Sequence, residues 1–462
     1  MPHLLNQSIN TLQTMLSRGE TTSVQLVEQA LLGFEKVNPL INAVVTTHPE
    51  LSLRYAEKAD ALRAKGDIVG PLHGIPMTIK DSLDTFDMVT TWGTEGRSAY
   101  RPGHDAIAVS RLRAAGAILV GKTNTPELTL AYQTDNHVFG RTSNPHQVGR
   151  TSGGSSGGAA ALIACGGIPI DLGTDTGGSI RLPAHFCGIY GLKPTTGRVP
   201  TTGNALPSTG LLAPLSQIGP LAGTLEDLEC IYQIIEGPHH SDPYTVSAPH
   251  LGADSDLQSL RIGYFTDHGL GAASPAITQA IKQLVADLAG AGYSITEIKP
   301  EGLEMTSMLY GRLFNADDHE LIADQLHSAG TRTPSLRLQR ILSQPKAHLS
   351  ASELSHLIAL WDGYRSSMRS VFEQVDVLLC PVNGRTAISH DEDENPFDYL
   401  YTQAFNLTGW PGLSMPIAKD EEGLPIGLQI AAAPFFEARC LAVARLIEPL
   451  IAPLDPPRIY LD

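Results

Sequence analysis

The chain has 462 residues, 42% hydrophobic and 17% charged, with 48 acidic against 32 basic side chains for a formal charge of −16. Such a composition is able to bury a large core and excludes a disordered or low-complexity chain. The acidic balance, with no Lys/Arg run to offset it, excludes a phosphate-backbone binder, so no nucleic-acid partner is expected. The five cysteines (Cys165, Cys187, Cys230, Cys380 and Cys440) are widely spaced and lack C-x-x-C pairing, which suits a reducing cytoplasm. The start MPHLLNQSINTLQTML has no basic segment followed by an apolar one, and no apolar stretch reaches spanning length; cytoplasmic localisation and no membrane contact are expected.

Ile9, Leu12, Met15 and Leu16 fall at helical spacing, and Val24, Leu26, Val27, Ala30, Leu31 and Phe34 predict a second helix, with Thr21, Thr22 or Ser23 as its cap. From about residue 70, short β-type runs (Met77–Ile79, Ala117–Val120) alternate with helical patterns, the rhythm of an α/β architecture. Residues 151–210 are rich in glycine, serine and threonine. Beyond them the pattern predicts a strand at Leu260–Phe265 and an amphipathic helix through Ile277, Ile281, Leu284 and Leu288, opened by Ser274 and Pro275. Residues 300–370 read as mostly helical and chemically uninformative. Val375–Val382, Leu413–Ala418 and Ile426–Ala433 read as buried strands.

Residues 116–123, GAILVGKT, match the phosphate-loop pattern G-x-x-x-x-G-K-[ST] literally. The intervening residues read as a strand instead of a flexible loop, and Pro126 follows at once, so nucleotide binding is rejected. There is no H-E-x-x-H, no cysteine cluster and no dinucleotide fingerprint, and His239-His240 sits beside Pro238 in a loop; neither metal nor cofactor is expected.

Two glycine-rich clusters carry the chemistry. In Gly153-Gly154-Ser155-Ser156-Gly157-Gly158, followed by the helix-compatible run Ala159–Ala164, either serine taken alone reads as an N-cap. The second, GTDTGGSIRLP over 173–183, sets Ser179 after two glycines and ahead of Arg181. Successive N–H groups at Thr176, Gly177, Gly178 and Ser179 can converge on one concavity, an oxyanion hole beside a nucleophile; the alternative is a glycine-rich turn with Asp175 and Arg181 as a structural ion pair. No histidine sits in a G-x-S-x-G elbow, although a base distant in sequence stays open. Lys80 ends the apolar run Ile75–Ile79, where burial disfavours its charge and lets it accept a proton; the alternative is a solvated lysine paired with Asp81.

Lys80 in GIPMTIKD, the GGSSGG loop, and GTDTGGSIRLPA followed by FCGIYGLKPTTGRVP are together similar to the amidase signature family. The resemblance is dense over about 70–225, with weaker echoes in the N-terminal helices and in residues 423–430. It implies one α/β unit over 1–462, a large mixed β-sheet flanked on both faces by helices. Its parts would be a helical layer (1–70), a catalytic core (71–230), a variable substrate-shaping region (231–380) and C-terminal strands and a helix completing the sheet (381–462). It also implies Ser179 as nucleophile, Ser155 as relay to Lys80 after a cis Gly154–Ser155 peptide, and Ser156, Asp175 and Arg181 as support. The segment 125–132 corresponds to a pocket wall, where Leu130 and Tyr132 suggest an apolar or aromatic acyl group. Ser152 departs from the family, which often has proline there.

The expected activity is hydrolysis of a small amide, anilide, ester or carbamate by a monomer or homodimer. The alternative is the glutamine-hydrolysing subunit of a tRNA-dependent amidotransferase, with Asp398 the nearest candidate for gripping glutamine. A non-catalytic binding protein on the same scaffold is the third reading.

Overall fold

Runs such as Pro76–Lys80 and Pro425–Ala432, bounded by turn residues and apolar at nearly every other position, form strands whose residues are all buried. A strand buried throughout needs cover on both faces, and the helices supply it. The computed structural model describes residues 3–249, 251 and 257–461. Among them, one mixed sheet collects β1 (Val44–Thr47), β2 (Pro76–Lys80), β3 (Ile118–Thr123), β4 (Ile170–Asp175), β5 (Tyr190–Lys193), β6 (Gln217–Ala222), β7 (Arg261–Tyr264), β8 (Ser294–Glu297), β9 (Val377–Pro381), β10 (Gly412–Lys419) and β11 (Pro425–Ala432). Their spatial order is β1-β3-β2-β4-β6-β5-β10-β11-β9-β7-β8. The α/β expectation holds, and the helices begin where the sequence signals them: Thr22 caps Ser23–Ile41 in a reciprocal box with Gln25, and Ser274 caps Pro275–Gly290.

Residues 1–70 are not wholly helical: Val44–Thr47 pairs antiparallel with β3 as an edge strand, too short for its alternation to register. β10 and β11 lie mid-sheet, joining β5 on one side to β9 on the other.

β2 runs parallel to both β3 and β4, and the chain leaves β2 towards one neighbour and returns to the other. Ligands of open α/β sheets bind beyond the carboxyl ends of strands at such a reversal. Lys80 is the last residue of β2 and Asp175 the last of β4.

The phosphate-loop look-alike is a strand. Lys122 lies inside β3 with its ammonium buried on the Leu83 carbonyl and the Thr85 and Thr90 hydroxyls, leaving nothing to cradle a phosphate. Among the described residues no helix is long and apolar enough to cross a membrane.

Candidate active site

Register builds the first half of the site. Thr78 and Ile79 face Asp171 and Leu172 across the β2–β4 pair, which brings Thr174 level with the end of the Lys80 side chain. Lys80 Nζ, 0% exposed, hydrogen-bonds to Ser155 Oγ at 2.6 Å and to Thr174 Oγ1 at 2.7 Å. Asp81 is occupied elsewhere, accepting from the amide and hydroxyl of Thr91, so the solvated Lys80–Asp81 pair does not form. Burial lowers the Lys80 pKa well below the ordinary lysine value, with the Asp175 and Asp171 carboxylates opposing the shift.

Asp171 lies on the same sheet. Its Oδ2 accepts from Thr78 Oγ1 at 2.5 Å and Thr123 Oγ1 at 3.0 Å, while Oδ1 has no partner among the described residues. Burial pushes its carboxyl up to about 7, against the pull of those hydroxyls, Lys122 and Lys80.

Glycine-rich loops build the second half. The Gly154–Ser155 peptide is cis, and the helix Gly157–Ala164 follows it. Ser156 is not a side-chain cap: its hydroxyl donates to the Thr174 carbonyl at 3.3 Å and accepts from the Thr174 amide at 3.4 Å. Its own amide donates to the Ser179 carbonyl at 3.1 Å, tying the Ser155 loop to the Ser179 loop. Ser152, where the family often has proline, is buried with its hydroxyl on the Thr142 carbonyl at 3.4 Å.

Asp175 organises the turn. Its carboxylate accepts from the amides of Gly178 (2.8 Å) and Ile180 (3.1 Å), from Arg181 Nε (3.0 Å) and a terminal guanidinium nitrogen (2.9 Å), and from the Asn406 amide group (2.9 Å). Burial alone would raise its pKa, but Arg181 and these donors hold it well below the usual carboxylate range. One expected donor is thereby reassigned, because the Gly178 N–H is spent on Asp175. Those of Thr176, Gly177 and Ser179 have no acceptor among the described residues. At 177 an added Cβ would lie 2.5 Å from the Tyr310 hydroxyl and 2.6 Å from that of Tyr132, so a side chain there would push both tyrosines aside. At 178 φ is +131° and Thr402 Oγ1 would lie 2.5 Å from a Cβ.

A cavity of about 380 Å³ opens on this turn, with Thr176, Gly177 and Ser179 in its lining. Leu130 and Tyr132 lie in its lining; Tyr132 stacks on Tyr399 and accepts from the Gln403 amide at 2.8 Å. Asp398 is absent from that lining and is paired with Arg385 Nε at 2.6 Å. The segment read as uninformative contributes much of the wall: Tyr310, Phe314, His319, Ile322, Arg337 and Ile341. Sequence reasoning also missed Thr174, Thr402, Gln403, Asn406 and Asp171. Only strand register, or the seating of the helix Leu400–Leu407 against the turn, reveals them.

Among the described residues no group of three or more His, Cys, Asp or Glu is arranged to hold a metal ion. The assembled site is thus a buried amine on a hydroxyl, a second hydroxyl at the cavity floor, and a set of free backbone donors.

The Amidase family profile matches residues 25–441. The chain is 34% identical to the A subunit of glutamyl-tRNA(Gln) amidotransferase from Rhodopirellula baltica over 486 aligned positions covering 96% of each. It is likewise 34% identical to that of Roseiflexus sp. over 472 positions, covering 95% of this chain and 96% of the relative. In structure it resembles 6-aminohexanoate cyclic dimer hydrolase (TM-score 0.89, 27% identity, 99% of each chain) and fatty acid amide hydrolase (0.87, 25% identity, 97% of this chain and 86% of that one). The chain belongs to the Amidase family and is an enzyme that hydrolyses amide carbon–nitrogen bonds.

Proposed function

We propose that the protein is a stand-alone hydrolase of small amides or anilides, working through an acyl-enzyme on Ser179. The observation that carries this reading is the fully buried Lys80 amine 2.6 Å from Ser155 Oγ, behind a cavity whose lining includes Ser179. A neutral Lys80 takes the Ser155 proton while Ser155 takes that of Ser179, whose Oγ bonds to the carbonyl carbon. The carbonyl oxygen gains the negative charge and is met by the Thr176, Gly177 and Ser179 amides. As the carbon–nitrogen bond breaks, Ser155 passes the stored proton to the departing amine. Water, deprotonated along the same relay, then attacks the ester and frees the acid and Ser179.

Leu130, Tyr132, Phe314, Ile322 and Ile341 in the lining favour an apolar or aromatic acyl group. Esters and carbamates present the same carbonyl to the same donors and fall within reach. The relatives named as amidotransferase subunits support a second reading, glutamine hydrolysis for a partner protein. Against it stands Asp398, engaged by Arg385 and outside the cavity lining.

The purified chain should hydrolyse a chromogenic anilide, and a fluorophosphonate should label Ser179. Ser179→Ala should lose both. Hydrolysis confined to glutamine, and only with a partner protein added, would replace this reading with the second.

A further inference from the structure

The polar groups nearest the nucleophile turn are satisfied within the protein: the Tyr310 hydroxyl donates to the Thr176 carbonyl at 3.2 Å, and the Gln403 amide to the Tyr132 hydroxyl at 2.8 Å. A different part of the same lining is not. His319 is 3% exposed, and neither of its ring nitrogens has a partner among the described residues. Asn315 and Ser307, also in the lining, make no side-chain hydrogen bond among the described residues. His3 and His390 share the orphaned nitrogens but do not line this cavity.

Buried polar atoms in native proteins are nearly always paired, and each exception needs a cause. An imidazole has one donor and one acceptor when neutral, and a carboxamide has both, so this wall matches a neutral group that accepts and donates. The cation in the lining, Arg337, is partly engaged: it donates through Nε to the Leu130 carbonyl at 2.9 Å and through a terminal nitrogen to Glu394 at 3.2 Å. A carboxylate would have to share that guanidinium with the negative charge of Glu394, whereas a carboxamide or hydroxyl matches the free groups of His319 with no such repulsion.

We propose that His319, with Asn315, forms a polar subsite for a second, uncharged hydrogen-bonding group on the acyl part of the substrate. The preferred substrates are then amides whose acyl chain carries a carboxamide, hydroxyl or ketone away from the scissile bond. This deepens the reading of Ser179 as nucleophile and rests on it. The intervening chain packs on the apolar residues of the wall, and the remote group supplies the partner that His319 lacks. A site built to hydrogen-bond a group discriminates against the analogue without it, because its own polar atoms are then left bare.

The test compares two p-nitroanilides of equal acyl length, one ending in methyl and one in a primary carboxamide. Wild type should prefer the carboxamide by about ten- to a hundredfold in kcat/KM. That ratio should fall towards one in His319→Leu and survive largely in His319→Asn, which keeps a donor and an acceptor and tolerates the left-handed backbone at this position (φ 62°). A wild-type ratio of one or less, or a ratio unmoved by His319→Leu, overturns the proposal. Should neither anilide be turned over, the proposed activity on small anilides fails and the subsite is judged by thermal shift with the same two compounds. A larger rise in Tm with the carboxamide, lost in His319→Leu, still supports it; equal shifts reject it.

Discussion

At Lys80 an amine with no exposed surface sits among hydroxyls, near two carboxylates that favour its charged form. Burial is the larger influence and keeps its pKa well below that of a solvated lysine. With the neutral amine as the working form of the proposed mechanism, kcat/KM should climb as pH rises through that depressed value. Lys80→Ala should flatten the climb and cost about 10²–10⁴ in turnover. Asp171 acts on the same equilibrium from beneath: an anion there stabilises the ammonium, so Asp171→Asn should move the climb to lower pH. An unmoved profile would show that the two groups do not communicate. Lys80, Ser155 and Ser179 were singled out in the sequence by the joint resemblance of their three motifs to one family, since each alone reads as readily as a solvated lysine, a helix cap or a glycine-rich turn. Thr174 and Asp171 were not, since a threonine and an aspartate in a strand acquire meaning only from the strand alongside.

The turn after β4 is held by groups from elsewhere in the chain. Arg181 spans Asp175, the Thr402 carbonyl (3.0 Å), Asn406 Oδ1 (2.7 Å) and Gln429 Oε1 (2.7 Å), so the helix Leu400–Leu407 and β11 clamp the loop that carries Ser179. Arg181 and Asp175 are both fully buried, and Asp175→Asn leaves the guanidinium uncompensated. That should cost about 3–5 kcal/mol, read as a drop in Tm, along with slower labelling of Ser179. Because the folded-state pKa of Asp175 is depressed, its contribution is complete above the ordinary carboxylate range and is lost as pH falls through the folded value. The Tm gap between wild type and Asp175→Asn should therefore narrow below about pH 4. The ion pair itself could be read from the two residues' proximity in sequence. Its outer partners could not: YTQAFNLTGW has no spacing that marks Thr402, Gln403 or Asn406, and their value comes from where the helix docks. The segment 300–370 was opaque for the same reason, as its helices reveal an apolar face but not the cavity onto which Tyr310 and His319 project.

Six of the eleven strands, β2, β3, β7, β9, β10 and β11, were readable as short apolar runs bounded by turn residues, whereas β1, β8 and the three strands of the glycine-rich stretch and its flank, β4, β5 and β6, were not; nor was the order. Strand pairing is non-local, and nothing in Leu413–Ala418 or Ile426–Ala433 says that they lie between β5 and β9. With β10 and β11 removed, the sheet falls into two pieces with raw inner edges. A chain ending before Gly412 should accordingly be recovered as aggregate and take up no fluorophosphonate, whereas soluble, reactive protein from such a truncation would mean that β1 to β6 stand alone.

That arrangement also times the birth of the enzyme. Every group expected to break bonds leaves the ribosome long before the segments that brace it: Asn406 and Gln429, which grip Arg181, follow it by 225 and 248 residues. A nascent chain that has not yet released them carries Ser179 on an unbraced turn, and on the proposed mechanism hydrolytic power waits for their arrival.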